Sequence, residues 1–582
     1  MSTASPPRDE VLLGWLSIGG VAAAELGAAL LWVAQGAVAM AAGAGWSPPA
    51  FRWGIGPVLD VVSAHPVTAR IPTLIVFGVL LVAAVLVLIQ AASRARRLLR
   101  SRRRLAEAAA VNRRAEIEGT TAPDRAAETA RLHPTLTGPP SGSRPDVRDV
   151  LGVALPSGPE ILPGWEDVEI AWMAPRSGKT TARAVPRVLA APGAVVATSN
   201  RPDLYRATSG YRAKLGRVWR FDPQRITRAR RTFWWNPLRL VQDDETARQL
   251  AEQFVQAVRP KSGGETFWAD SAADLLSAMF LAASVSGASL REVWRWLNSS
   301  TDDRPAQLLD DHGFGPVAES LRNTVFLHAE TRDSVYQTAR TAASCLRSTR
   351  ILKWVTPQPG LPEFSMLEFA RSTDTVYLLS KDAAGAAGPL LAGFLDQLFD
   401  VAQDESERHG GRLPVPLAMV LDEIGNCPWD RLPKVVSYSG GLGVSISAIL
   451  QSWAQGVRVW GENGMEQLFG ATTIKVFGAG VEDEQLLRRI SLAVGRHDVV
   501  QRSTTYGSGG RSVTTSMDHR EILPPDSVRA LEKGTALVLL TGRRPVIVRL
   551  MPWYETSYRD VVAQSIAEAQ RELAELASQG RP

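Results

Sequence analysis

The sequence predicts an α/β fold with a mostly parallel sheet, carried behind two transmembrane helices. Three observations predict it. The string Ser177-Gly178-Lys179-Thr180 stands between a strand-like run and a helix-like run, the setting of a phosphate-binding loop. A short apolar run at 417–421 (LAMVL) ends in the acidic pair Asp422-Glu423. Two long charge-free apolar runs precede both.

Composition sets the outer bounds. With 582 residues the chain has room for an anchor plus one large domain or two ordinary ones. Apolar residues make up 45% of it, which argues for a sizeable core and against global disorder. The net charge of +6 suits nucleic acid or anionic lipid without choosing between them. Cys345 and Cys427 lie far apart with no CxxC spacing, which argues against a disulfide framework or a zinc site and for a cytosolic bulk.

The first 104 residues read as a membrane anchor. No charged residue falls between 26 and 51, and the apolar run reaches back to Val11 with only Glu25 interrupting it. A second charge-free run covers 71–92. A spanning helix needs roughly 20 apolar residues, so spans are expected at about 15–42 and 71–92. Glu25 either faces a partner helix or marks the edge of its span. Orientation follows from arginine. Arg94, Arg96, Arg97, Arg100, Arg102, Arg103 and Arg104 crowd the exit of the second run, while the loop near 47–70 holds only Arg52 and Arg70. The positive-inside rule then gives a two-pass membrane protein with the bulk of the chain in the cytoplasm.

A helical segment and linker are expected over 105–147, where 133–146 is rich in Pro, Gly and Ser. Beyond it, short apolar runs alternate with longer amphipathic ones, the pattern of a mostly parallel sheet. Lys179 and Asp422 lie 243 positions apart, too many for a minimal phosphate-loop core. Helix-like segments at 245–258 and 269–283 account for the excess as an inserted all-α domain, 243–350. That divides the motor into a first part, 148–242, and a second, 351–555, followed by a helical tail, 556–582.

The chemistry is expected where three runs end. Residues 173–180 (MAPRSGKT) follow the strand-like 168–172 and precede the helix-like 181–189. Ala174, Pro175, Arg176, Ser177, Gly178, Lys179, Thr180 and Thr181 are expected to surround the phosphates of ATP. Lys179 is expected at the β- and γ-phosphates, and the Thr180 hydroxyl on Mg²⁺. Met173 replaces the usual leading glycine, a change compatible with the turn if its φ stays negative. After the 417–421 run, Asp422 is expected in the Mg²⁺ shell and Glu423 at the attacking water. The run 444–450 (VSISAIL) ends at Gln451, where RecA-like motors carry a polar sensor of the γ-phosphate.

With these pieces in order, the chain resembles the TraG/TraD family of type IV secretion coupling proteins over roughly 150–555. The matching residues are the 177–180 string, Phe221-Asp222-Pro223, Trp235-Asn236-Pro237-Leu238 and Phe267-Trp268. Further matches are 422–428 (DEIGNCP), Leu450-Gln451-Ser452 and 522–531 (ILPPDSVRAL). The resemblance implies a RecA-like P-loop NTPase motor domain with an inserted all-α domain, assembled as a homo-hexamer at the inner face of the membrane. It implies ATP-driven translocation of DNA, single-stranded and without sequence preference, with a relaxase and secretion-channel components as partners. It also implies that the inserted domain sits over the pore mouth. One feature departs from the family: its members often carry a basic residue before the Gln strand, and here 437–443 (SYSGGLG) has none. An arginine finger would then come from elsewhere, with Arg458, Arg488 and Arg489 as candidates.

Substrate contact is less sharply written. Between 201 and 231 there are ten Lys or Arg against Asp203 and Asp222. Such a run tracks phosphate backbone, or is a solvated or lipid-facing surface. Residues 501–517, rich in Ser, Thr and Gly, read as a hairpin or loop. The terminal helix either docks a partner or caps the domain. Two alternatives to DNA translocation stand beside it: a nucleotide-gated substrate receptor with little turnover, and a protein-export ATPase.

Overall fold

The strand-like runs line up in one 11-stranded sheet in a computed structural model, which describes residues 8–43, 45–46, 48, 50–52, 67–112, 117–136, 147–256, 258–259, 267–381, 387–427, 429–507 and 510–578. The strands are β1 (Gly152–Ala154), β2 (Glu160–Ile161), β3 (Glu169–Trp172), β4 (Val195–Ser199), β5 (Val218–Phe221), β6 (Thr375–Leu379), β7 (Leu417–Leu421), β8 (Val444–Leu450), β9 (Ile474–Gly478), β10 (Arg496–Gly507), β11 (Gly510–Glu521), β12 (Thr535–Leu540) and β13 (Val546–Arg549). All but β10 and β11 form this sheet, in the order β2-β1-β13-β12-β9-β3-β8-β7-β4-β6-β5. From β9 to β5 every neighbouring pair is parallel. From β9 to β2 every pair is antiparallel. Strands β3, β4, β6, β7 and β8 are buried along their whole length, as expected where helices cover both faces of a parallel sheet.

The chain divides into two compact units, Met1–Ala106 and Glu107–Pro582. The first holds the helix Arg8–Ala41 and most of the helix Val67–Asn112. The two expected spans fall in these helices, yet among the described residues no helix is long and apolar enough to cross a membrane. Of the arginine cluster, the side chains from 95 to 104 lie outside the described residues, as does most of the loop near 47–70.

Among the described residues between β5 and β6 run six α-helices of eight residues or more, Asp244–Val255, Phe267–Val285, Leu290–Leu297, Arg304–Asp311, Gly315–Val325 and Ala329–Ala342. Asp243 caps the first through the Thr246 amide at 2.8 Å, and Ser289 with Glu292 forms a capping box on the third. Helix Phe267–Val285 is the apolar centre that the others surround, and its buried face joins the same core as one face of the sheet. The 501–517 stretch forms most of an antiparallel hairpin, β10 with β11, paired from Arg496–Glu521 to Gly507–Gly510. The C-terminal helix Arg559–Ser578 caps the motor against helix Asp203–Arg212, where Ser565 Oγ accepts from the Gly210 amide at 2.9 Å and donates to the Arg206 carbonyl at 2.7 Å.

Part of the stretch read as a linker is docked on the sheet domain. Asn112 Nδ2 donates to the Ile547 carbonyl at 2.9 Å, and its Oδ1 accepts from the Ile547 amide at 2.8 Å. Arg125 donates to Asp167 at 2.8 Å. Residues 137–146 lie outside the described ones.

Beneath the phosphate loop lies a buried ion network. Arg183 donates to Glu169 Oε1 at 2.9 Å and Oε2 at 2.5 Å, and to Asp149 Oδ1 at 3.0 Å. Arg187 takes the second Asp149 oxygen at 2.6 Å and also meets Ser445. The network ties the helical turn after the loop to β3 and β8. Arg183→Met would leave two buried carboxylates without this cation and is expected to cost about 3–5 kcal/mol, read as a fall in the thermal unfolding midpoint. Burial alone would push the Asp149 carboxyl up, but Arg183 and Arg187 outweigh it and hold it below its ordinary value. A depressed folded value gives stability that is present above the unfolded value and lost as pH falls through the folded one. Asp149→Asn is therefore expected to flatten the acid side of the stability profile, measured as unfolding midpoint against pH.

Candidate active site

Three adjacent strand ends build the site. Strand β3 leads into the phosphate loop, β7 into Asp422-Glu423 and β8 into Gln451. Because β8 lies between β3 and β7, Gln451 comes out between the other two.

The loop is shaped by its own backbone. The Met173 amide donates to the Leu450 carbonyl at 2.9 Å, extending the β3–β8 ladder by one bond. Ser177 then closes a turn on the Ala174 carbonyl through its amide at 3.2 Å and its hydroxyl at 2.6 Å. Arg176 and Gly178 both have left-handed backbone, with φ of 63° and 99°. Glycine holds that conformation freely at 178, whereas Arg176 holds it at a cost. Lys179 opens a short π-helical turn, Thr180–Ala184, which continues as the helix Val185–Ala190.

Met173 is fully buried and is not among the residues with positive φ, so the missing glycine does not distort the turn. Its bulk is taken up across the sheet. At Gly478, the last residue of β9, an added Cβ would come within 3.0 Å of Met173 Cγ and 3.1 Å of its Cε. The small residue has moved to the neighbouring strand.

The polar groups then meet. Lys179 Nζ contacts Glu423 Oε1 in an ion pair. Gln451 Nε2 donates to the same Glu423 oxygen at 2.9 Å. Thr180 Oγ1 donates to Asp422 Oδ2 at 3.0 Å. Glu423 has φ 58° and ψ 47°, a left-handed conformation costing a non-glycine residue roughly 1–3 kcal/mol. Strand β4 helps to hold it there, since Thr198 Oγ1 donates to the Asp422 carbonyl at 3.2 Å. Burial pushes the Asp422 carboxyl up to about 6, with Lys179 opposing and Glu423 adding to the rise. Its Oδ1 is buried without a hydrogen-bond partner. A divalent cation fits that arrangement, because it would satisfy the orphaned oxygen beside the Thr180 hydroxyl.

These residues open on a cleft of about 1220 Å³. Pro175, Arg176, Ser177, Gly178, Lys179, Thr180 and Thr181 line it with Asp422, Glu423 and Gln451. Ala174 does not; it packs beneath Gly480, where an added Cβ would come within 2.7 Å of it. None of the three candidate finger arginines lines the cleft. Arg488 pairs with Glu484 at 2.6 Å, Arg489 pairs with Glu466, and Arg458 stands exposed on the helix Trp453–Ala471. The cleft has other cations that the motifs did not point to: Arg201 after β4, Lys533 before β12 and Arg549 at the end of β13. Arg201 had a sequence signal, an arginine just beyond a buried strand-like run, whereas the other two come from a distant part of the chain.

Comparison with known proteins agrees with this architecture. The family described as Type IV secretory system Conjugative DNA transfer matches residues 170–579. Protein VirD4 of Agrobacterium fabrum is 24% identical over 402 residues, covering 65% of this chain and 57% of VirD4. VirD4 of Rhizobium rhizogenes is 25% identical over 398 residues, with the same shares. The chain thus spans 57% of the length of these curated relatives. Among solved structures, the unbound bacterial conjugative coupling protein TrwBdeltaN70 has a TM-score of 0.52 at 18% identity, covering 70% of this chain and 89% of that one. Plasmid coupling protein TrwB in complex with the non-hydrolysable ATP analogue ADPNP has a TM-score of 0.50 at 18% identity, covering 67% and 86%. At such identity the likeness establishes the fold alone, the mixed α/β fold of TrwB.

The packing of Met173 against Gly478 is open to a double-mutant cycle. Gly478→Val is expected to overpack the start of the loop and destabilise by about 1–3 kcal/mol. Met173→Gly in the same chain should recover part of that loss, with a coupling of at least about 0.5 kcal/mol between the two sites. Denaturant unfolding of the four chains measures it, and additive losses would show that the residues do not compete for space.

Proposed function

The chain belongs to the Type IV secretory system Conjugative DNA transfer family, and from that premise we propose that it is a membrane-anchored ATPase that moves DNA toward a type IV secretion channel. The observation that carries the proposal is the convergence of Lys179, Glu423 and Gln451 beside the Thr180–Asp422 pair.

Each residue has a task that its position supports. The loop amides and Lys179 bind the phosphates of ATP, drawing Lys179 off Glu423. Glu423, released from that ion pair but still in reach of Gln451, orients and polarises the attacking water. Gln451 links the γ-phosphate to Glu423 and so reports whether it is present. Thr180 and Asp422 would hold Mg²⁺, which when bound neutralises developing phosphate charge. The TrwB complex with ADPNP supports a nucleotide as the ligand of this fold.

Anchoring by two transmembrane helices at about 15–42 and 71–92 belongs to the same proposal. Ile71, Ile75, Val79, Val82 and Leu86 are exposed along the helix Val67–Asn112, an apolar surface that lipid would cover. The division into a split motor, 148–242 and 351–555, around an all-α insertion at 243–350 also belongs to it. So do assembly as a homo-hexamer and engagement of a relaxase. A hexamer would bring a second subunit to the cleft, and the exposed Arg458 is a candidate for the finger that the chain's own cleft does not receive from its motifs.

The test is steady-state ATP hydrolysis by the full chain, alone and with single-stranded or double-stranded DNA. DNA is expected to raise the rate, and Lys179→Ala to lower the stimulated rate by about 100-fold or more. The stimulation should fall steeply with salt, since its source is phosphate contact. Nucleotide binding with no DNA-raised turnover would favour the receptor or protein-export reading instead.

A further inference from the structure

The cleft is larger than a triphosphate needs. Its volume of about 1220 Å³ exceeds the roughly 300–1,000 Å³ typical of small-ligand pockets, and its two sides offer different chemistry. Glu423 and Gln451 hang from β7 and β8 on one side of the phosphate loop, so the phosphate to be hydrolysed points that way. The nucleoside end of the ligand then lies on the other side, over β9, β12 and β13.

The sheet brings a second group to that side. Strand β9 is parallel to β3, β12 is antiparallel to β9, and β13 is antiparallel to β12. The carboxyl end of β13 therefore opens on the same edge of the sheet as the phosphate loop. It is three strands away from β3, about 14 Å at ~4.8 Å per strand. What leaves β13 is apolar: Leu550 and Pro552 line the cleft, and the 3₁₀ turn Trp553–Glu555 follows.

The turn is fixed at both ends and presents one ring. Trp553 packs on the core cluster beneath it. Glu555 donates its amide to the Pro552 carbonyl at 2.8 Å, and its carboxylate pairs with Arg549 at 2.9 Å. Tyr554, between them, lines the cleft with 51% of its surface exposed. Trp553 supports it in a T-shaped contact, at 5.6 Å and 78° between the rings. Among the described residues it has no other ring contact. A braced, half-exposed aromatic ring at the nucleoside end of a phosphate-loop cleft has a ready ligand in the face of a nucleobase.

We propose that Tyr554, with Leu550 and Pro552, forms the nucleobase subsite of the cleft, so that the chain holds its nucleoside triphosphate by the base as well as by the phosphates. The proposal rests on the nucleotide reading of the phosphate loop.

Binding of ATP and of inorganic tripolyphosphate to the full chain, by calorimetry, separates the two. Tyr554→Ala is expected to weaken ATP about tenfold while tripolyphosphate stays within about twofold. Tyr554→Phe, which keeps the ring, should bind ATP like the unaltered chain. ATP affinity unchanged in Tyr554→Ala would overturn the subsite. So would an equal loss for ATP and tripolyphosphate, which would mark a deformed cleft rather than a lost stacking partner. A different pattern, no Lys179-dependent binding of either ligand by the unaltered chain, would overturn the nucleotide reading and the subsite with it.

Discussion

The ion pair between Lys179 and Glu423 exists because β8 is threaded between β3 and β7. Two strand spacings, roughly 10 Å, separate the backbones that carry the lysine and the carboxylate. Lys179 on its loop, and Glu423 on its left-handed turn, reach across that gap from either side. Gln451, at the end of the strand between them, completes the set. With β8 elsewhere in the sheet, Lys179 and Glu423 would lie one strand apart and Gln451 would not stand between them.

The proposed function requires this arrangement to change when nucleotide binds. Lys179 and Gln451 both meet Glu423 Oε1 here, and a polyphosphate would offer Lys179 a stronger partner. Under the proposed function, binding would exchange one ion pair for another and release Glu423. The backbone strain at Glu423 persists because its neighbours fix it: Asp422 is buried, its carbonyl is held by Thr198, and its side chain by Thr180. Below the loop, the Arg183 network plays the corresponding part for the turn that carries Lys179 and Thr180. Under the proposed function, rigid support on both sides would let the departure of one lysine free the carboxylate without disturbing its backbone.

Much of this was legible in the sequence because it is local. Phosphate loop, acidic pair and sensor glutamine each end a short buried strand, and periodicity with a terminal polar residue is visible without any tertiary information. The long spacing between Lys179 and Asp422 likewise signalled the helices that the chain interposes. What escaped depends on contacts between distant segments. Asn112 pairs with the backbone of Ile547 across the chain, so the supposed linker gave no sign of docking. The sequence shows that Met173 is compatible with the turn if its φ stays negative, but it does not show that Gly478 makes room for the side chain. Arg549 and Tyr554 reach the cleft only through the antiparallel turn-back of β12 and β13, which no motif announces. The two spans were the plainest reading of composition, yet among the described residues no helix is long and apolar enough to cross a membrane.

The central claim is that Glu423 acts on water while Lys179 binds phosphate, so that binding and hydrolysis are separable at this site. Its most direct measurement is the fate of ATP bound to Glu423→Gln in a single-turnover experiment with DNA present. The account predicts that this variant binds ATP as the unaltered chain does and retains it uncleaved over many turnover times. Cleavage of the bound ATP at the unaltered rate would contradict it, and would place the activation of water on a residue other than Glu423.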